Sequence, residues 1–111
     1  MWRKSANKYH NVRTSYNGKM FASKKEATHA GLLDAMQRAK EPSQRVKSVI
    51  YQYRIPIVVN GIKIAHYVAD FYVSFADGHK EIHETKGFRT REYILKKKLV
   101  EAIYGEKILE F

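Results

Sequence analysis

Three glycine-bearing dipeptides constrain this chain most: Asn17-Gly18, Asn60-Gly61 and Asp77-Gly78 each interrupt runs rich in β-branched and aromatic residues. Asn-Gly and Asp-Gly readily take the left-handed backbone of two-residue hairpin turns, whose twist matches that of the strands they join. Each dipeptide therefore predicts a reversal between antiparallel strands. The first links the alternating Val12, Thr14 and Tyr16 to Met20-Phe21. The second separates Val46 to Val59 from Ile62 to Phe75, and the third separates that strand from one over His79 to Lys86. Pro56 has no amide hydrogen for a ladder, so it predicts a break, a bulge or an edge position.

Helical signals fill the gaps. Ser23 followed by Glu26 fits a capping box, and Ala27, Ala30, Leu32, Leu33, Met36 and Ala39 recur at helical spacing until Pro42. A helix is expected from Lys24 to Lys40. Gly87 ends the third strand of the meander and Thr90 caps a second helix, in which Tyr93, Ile94, Lys97 or Lys98, and Val100 to Ile103 give a mixed apolar face up to Gly105. Lys107 to Phe111 forms a last short strand. The order ββ-α-βββ-α-β describes an α/β (α+β) fold with a central mixed β-sheet flanked by helices. At 111 residues the chain has room for one core, read as a flexible basic tail over 1–8 and a single domain over 9–111.

Charge is unevenly spread. The first 25 residues carry Arg3, Lys4, Lys8, Arg13, Lys19, Lys24 and Lys25 and no acidic side chain. Over the whole chain 21 Lys and Arg face 11 Asp and Glu, a net charge of +10 that attracts polyanions. Eight tyrosines add stacking and phosphate-contacting surface, so nucleic acid is the expected partner; the alternative is a basic face kept for solubility. Cysteine is absent, which excludes disulfides, thiolate metal sites and a cysteine nucleophile. No run reaches the roughly 18 apolar residues of a membrane span, and Met1-Trp2-Arg3-Lys4 leads into polar residues. A cytoplasmic protein with no membrane partner is expected.

The chemistry-bearing segment is Asp70, then a strand and turn, then Glu84-Thr85-Lys86. Counting back from Asp77-Gly78 brings Asp70 almost opposite Glu84. Glu84 and Lys86 share strand parity, so both leave one face. Phosphodiester hydrolysis needs a nucleophilic water, charge neutralisation at the phosphate and help for the departing oxygen, and hard oxygen ligands around Mg²⁺ serve all three. Asp70 and Glu84 are the candidate ligands, with the Thr85 carbonyl as a further one. Lys86, kept charged by the two carboxylates, would orient the attacking water and stabilise the crowded phosphate. The plain alternative is a surface ion pair. Against it, Asp70 lies within Tyr67-Val68-Ala69-Asp70-Phe71-Tyr72-Val73, where burial of an unpartnered carboxylate would be costly.

Asp70 followed by Glu84-Thr85-Lys86 resembles the motif of the PD-(D/E)XK nuclease superfamily. Ser23 to Ala27, Tyr67 to Phe71, Glu84 to Phe88 and Tyr93 to Leu99 further resemble a family of small uncharacterised phage proteins related to Holliday-junction resolvases. The likeness covers most of residues 8–111, with Ala69 where the motif has proline. It implies a restriction-endonuclease-like fold, a Mg²⁺-dependent endonuclease (Mn²⁺ as substitute), branched DNA as substrate in phage recombination, a homodimer with two sites, and the host cytoplasm. It also implies a metal-site role for Glu26, whose other role is the reciprocal half of the capping box with Ser23. Two further readings stay open: a duplex-nicking or restriction-like endonuclease, and a non-catalytic nucleic-acid-binding module.

Lys24, Lys25, Arg89, Arg91, Lys96 and Lys97, with Tyr93 as a phosphate or stacking partner, are the expected DNA contacts, gripping mainly the backbone. The alternative is a solvated helix face, and Lys96, Lys97 and Lys98 cannot all point one way. His66, His79 and His83 match no closed zinc pattern. Gln52 is either a polar residue lining the site or a hydrogen-bonded amide.

Overall fold

The computed structural model describes residues 14–16, 18–85 and 89–111; the tail expected over 1–8, Asn17 and Lys86 lie outside them. The elements are β1 (Thr14–Tyr16), β2 (Lys19–Phe21), α1 (Lys24–Ala35) with a 3-10 turn at Met36–Arg38, β3 (Val46–Val59), β4 (Ile62–Phe75), β5 (Lys80–Glu84), α2 (Arg91–Tyr104) and β6 (Ile108–Glu110). This is the expected order. β1 and β2 form a small antiparallel sheet, while the main sheet runs β3-β4-β5-β6. Its first three strands are an antiparallel meander, and β6 lies parallel to β5 after the α2 crossover. The result is a mixed α+β fold.

Turn chemistry explains the reversals. Asn60 and Gly61 both take positive φ, 51° and 78°, and Val59 pairs directly with Ile62 across them, a tight primed turn. Asp77-Gly78 sits in a longer loop: the Asp77 carboxylate accepts the His79 N–H at 3.0 Å, an Asx-type turn, so β5 starts at Lys80 instead of His79. β5 also stops at Glu84, because the Thr85 N–H turns to the Asp70 side chain at 2.9 Å. α1 is shorter than expected. Arg45 donates to the Ala39 and Lys40 carbonyls at 3.3 and 3.1 Å, holding that segment out of the helix. Pro56 lies on β3, an edge strand of the sheet.

Two buried clusters sit on opposite sides of the sheet. α1 contributes Ala27, Ala30 and Leu33 to the first, against Phe71, Val73 and Phe75 of β4. α2 contributes Tyr93 and Val100 to the second, with Ile82 of β5 and Ile108 of β6, and Tyr72 packs against it. Phe71 and Tyr72 are consecutive, and consecutive strand residues point to opposite faces. Tyr67 and Ala69 have the parity of Phe71 yet join the second cluster. The alternation therefore slips around Asp70. Gln52 lies between Tyr51 and Tyr53, the residues that pair with Phe71 and Ala69, and it carries a φ of 53°, a left-handed backbone that is strained for a side chain other than glycine.

Candidate active site

Beside the slip, Asp70 of β4 is half-buried and Glu84 at the end of β5 is buried. The β4–β5 register pairs Phe71 with His83, so its next step sets Asp70 against Glu84. Asp70 does not continue the ladder. Its Oδ2 accepts both the Thr85 N–H and the Thr85 hydroxyl, each at 2.9 Å. That double bond to one threonine pins the end of β5 to β4.

Glu84 is 3% exposed, and its Oε1 accepts the Tyr67 hydroxyl. Burial, and then the neighbouring Glu84 carboxylate, pushes the Tyr67 phenol up, so it remains a proton donor. Glu26 is also buried at 5%. Its N–H donates to Ser23 Oγ at 3.1 Å, while its carboxylate accepts from Gln52 Nε2 at 3.1 Å. Half of the capping box is thus present, and the acidic group itself turns toward β3. The strained Gln52 holds it there. Two carboxylates inside a small fold cost desolvation free energy, and each is met here by a neutral side-chain donor from a neighbouring strand.

Beside them runs a chain of hydrogen bonds that the sequence reading did not anticipate. His29 Nε2 and His83 Nδ1 share a bond of 2.8 Å; His83 Nε2 meets Glu81 at 2.8 Å; Glu81 meets His79 at 3.1 Å; and His79 meets Asp77 at 2.5 Å. Burial, then the neighbouring His83, lowers the His29 ring to about 4, opposed by Asp70. Burial lowers His83 as well, opposed by Glu81. His79, outside the core, is raised by its bond to Asp77. The Phe111 ring lies 4.3 Å from the His29 ring and 4.6 Å from that of His83. A signal for His29 existed: it falls on the inward stripe of α1 with Glu26, Ala30 and Leu33.

Two openings flank this core. A cavity of about 460 Å³ is lined by Lys24, Lys25, His29, Leu32, Thr85 and Phe111, among others. A second, of about 250 Å³, is lined by Tyr67, Glu84, Thr90, Tyr93 and Lys96, among others. Thr85 thus faces one opening and Glu84 the other.

The remaining nominated contacts are dispersed. Tyr93 is 6% exposed, and its hydroxyl donates to Glu110 at 2.5 Å, which makes it a packing residue that reaches the smaller opening. Arg89 pairs with the same Glu110. Lys96 pairs with Glu92 at 2.9 Å and Lys97 with Glu101 at 3.2 Å. Arg91 is exposed at the start of α2. His66 bonds Arg54 at 3.1 Å, apart from the other histidines.

The donor chemistry suits a hard cation. Asp70, Glu84 and Glu26 offer carboxylate oxygens, and Mg²⁺ commonly takes one or two protein carboxylates and completes its shell with water and substrate phosphate. Among the described residues, no group of three or more His, Asp or Glu side chains is set to hold a metal by itself, and no helix is long and apolar enough to cross a membrane. A family model described as a protein of unknown function (DUF1064) matches residues 6–111. No curated protein and no solved structure matches.

Proposed function

The chain belongs to the DUF1064 family of proteins of unknown function, and from that premise we propose that it is a Mg²⁺-dependent DNA endonuclease with a restriction-endonuclease-like fold. The observation that carries this reading is the junction of Asp70 with Glu84-Thr85: an acidic side chain at a break in strand alternation, doubly bonded to the residue after a buried glutamate. A surface ion pair needs no such construction. Regular strands would serve packing better.

Within this reading Asp70 and Glu84 hold the cation, with Glu26 and the Thr85 carbonyl completing its protein ligands. The bound ion supplies charge neutralisation at the phosphate and a more acidic water. The chain's own groups do the positioning. Thr85 fixes one Asp70 oxygen, Tyr67 orients Glu84, and Gln52 orients Glu26. Lys86, two residues after Glu84, orients the attacking water and stabilises the negative charge that builds on the phosphate. Lys24, Lys25 and Arg91 grip the sugar-phosphate backbone. The net charge of +10 speeds encounter with DNA.

Branched DNA is the proposed substrate, in the manner of small phage junction resolvases acting in the host cytoplasm. Symmetric junctions require paired incisions, which a homodimer with two sites provides. The test is a panel of four-way junction, flap, nicked, single-stranded and linear DNA, each with Mg²⁺, Mn²⁺ or EDTA. The expected result is junction cutting in either metal and none in EDTA. Strong binding with no cutting of any substrate under any divalent ion replaces the proposal with a binding module. Linear duplex cut as fast as the junction removes the branched-DNA part and leaves a duplex-nicking enzyme.

A further inference from the structure

The larger cavity has one basic and one apolar end. Lys24, Lys25, Thr28, His29 and Leu32 form one wall, because residues three to four apart along a helix share a face. Phe111 and Thr85 form the other. Leu32 and Phe111 are apolar yet 52% and 44% exposed, whereas the two lysines stand at the first turn of α1, where the helix end adds partial positive charge. Phe111 is not a loose ring: its N–H donates to the Glu84 carbonyl at 2.9 Å, and it packs on His29 and His83. A volume of about 460 Å³ lies within the roughly 300–1,000 Å³ of small-ligand sites.

We propose that this cavity receives one unpaired base of a DNA strand, its ring against Leu32 and Phe111 and its flanking phosphates on Lys24 and Lys25. An occupant must join a flat apolar body to an anion, and a nucleotide does so. Aromatic side chains stack on any base because every base has a π face. A base inside a duplex is already stacked and paired, so extruding it costs a few kcal/mol. The cavity therefore favours nucleotides that branching, a flap or a strand end has left unpaired. Thr85 carries the cavity to the Asp70 bond, so a seated base places the adjoining phosphodiester near the proposed site. The inference deepens the nuclease reading by naming what selects its substrate, and it rests on that reading only for the DNA partner.

The experiment measures binding in EDTA, where cleavage plays no part, of duplexes with and without a short single-stranded tail containing 2-aminopurine. The tailed duplex is expected to bind more tightly, with quenching of the 2-aminopurine emission. Phe111→Ala and, separately, Leu32→Ser should each weaken tail binding about tenfold when measured well below the melting transition of each folded variant, and Ile64→Ala, at an exposed position of β4 outside the cavity lining, should have no effect. Equal affinity for blunt and tailed duplex, or unchanged emission, overturns the inference. So does displacement of the tail by decyl phosphate but not by excess adenosine monophosphate, which assigns the cavity to an alkyl chain. Quenching without cutting in Mg²⁺ upholds base capture while removing the nuclease reading; cutting without quenching does the reverse.

Discussion

At the scale of single residues, the account turns on how buried charge is met. Tyr67→Phe removes a donor that meets the Glu84 carboxylate and takes one hydrogen bond from a buried acceptor. A loss of about 1–3 kcal/mol in denaturant unfolding is expected, together with weaker metal-dependent cutting. His29 supplies a pH prediction. Its folded ring is lowered from 6.5 to about 4, so the folded state disfavours the charged form. Stability from this group is complete above pH ~6.5 and is lost as pH falls toward 4, because the unfolded chain then binds a proton that the folded chain refuses. Urea midpoints measured across that window should fall for the wild type and fall less for His29→Gln. An identical pH profile in the two proteins would show that His29 is not held neutral by its surroundings. His29 was hard to find by inspection because its partner His83 is 54 positions away. Glu26 was easier, since its bond to Ser23 is local.

Secondary-structure elements were legible where local chemistry decides them. Asn60-Gly61 and the Thr90 and Ser23 caps act over three or four residues, so the hairpin and both helix starts could be located without knowing the rest. The Asp70–Glu84 juxtaposition followed from counting residues about one turn. Long-range effects were not legible: Arg45 reaching back to the Ala39 and Lys40 carbonyls, Tyr93 turning inward to Glu110, and the face change around Asp70. That face change depends on the left-handed Gln52 of β3, and glutamine gives no sign of such a backbone. Gln52→Gly should separate its two roles. Glycine relieves left-handed strain of about 1 kcal/mol but loses the bond to Glu26, so thermal stability should change by less than about 1 kcal/mol while cutting declines. A large loss of stability would mean that the side chain, not the backbone, holds the slip together.

For the whole molecule, the proposed function asks one small fold with two buried clusters to serve catalysis, recognition and folding. With 21 basic residues, affinity for DNA should fall steeply with salt, and the slope reports how many phosphates are neutralised. Removing residues 1–8 deletes Arg3, Lys4 and Lys8 and should flatten the slope by about 2–3; an unchanged slope would show that the tail touches no phosphate. Sedimentation of the protein with and without a four-way junction addresses the proposed pairing of two copies. The most direct test of the central claim is single-turnover cleavage of a labelled four-way junction in Mg²⁺ by the wild type, Asp70→Asn and Glu84→Gln, at protein concentrations that saturate binding. The account predicts cutting by the wild type, and binding with at least about a hundredfold slower cutting by both variants. Undiminished cutting by either variant would contradict it.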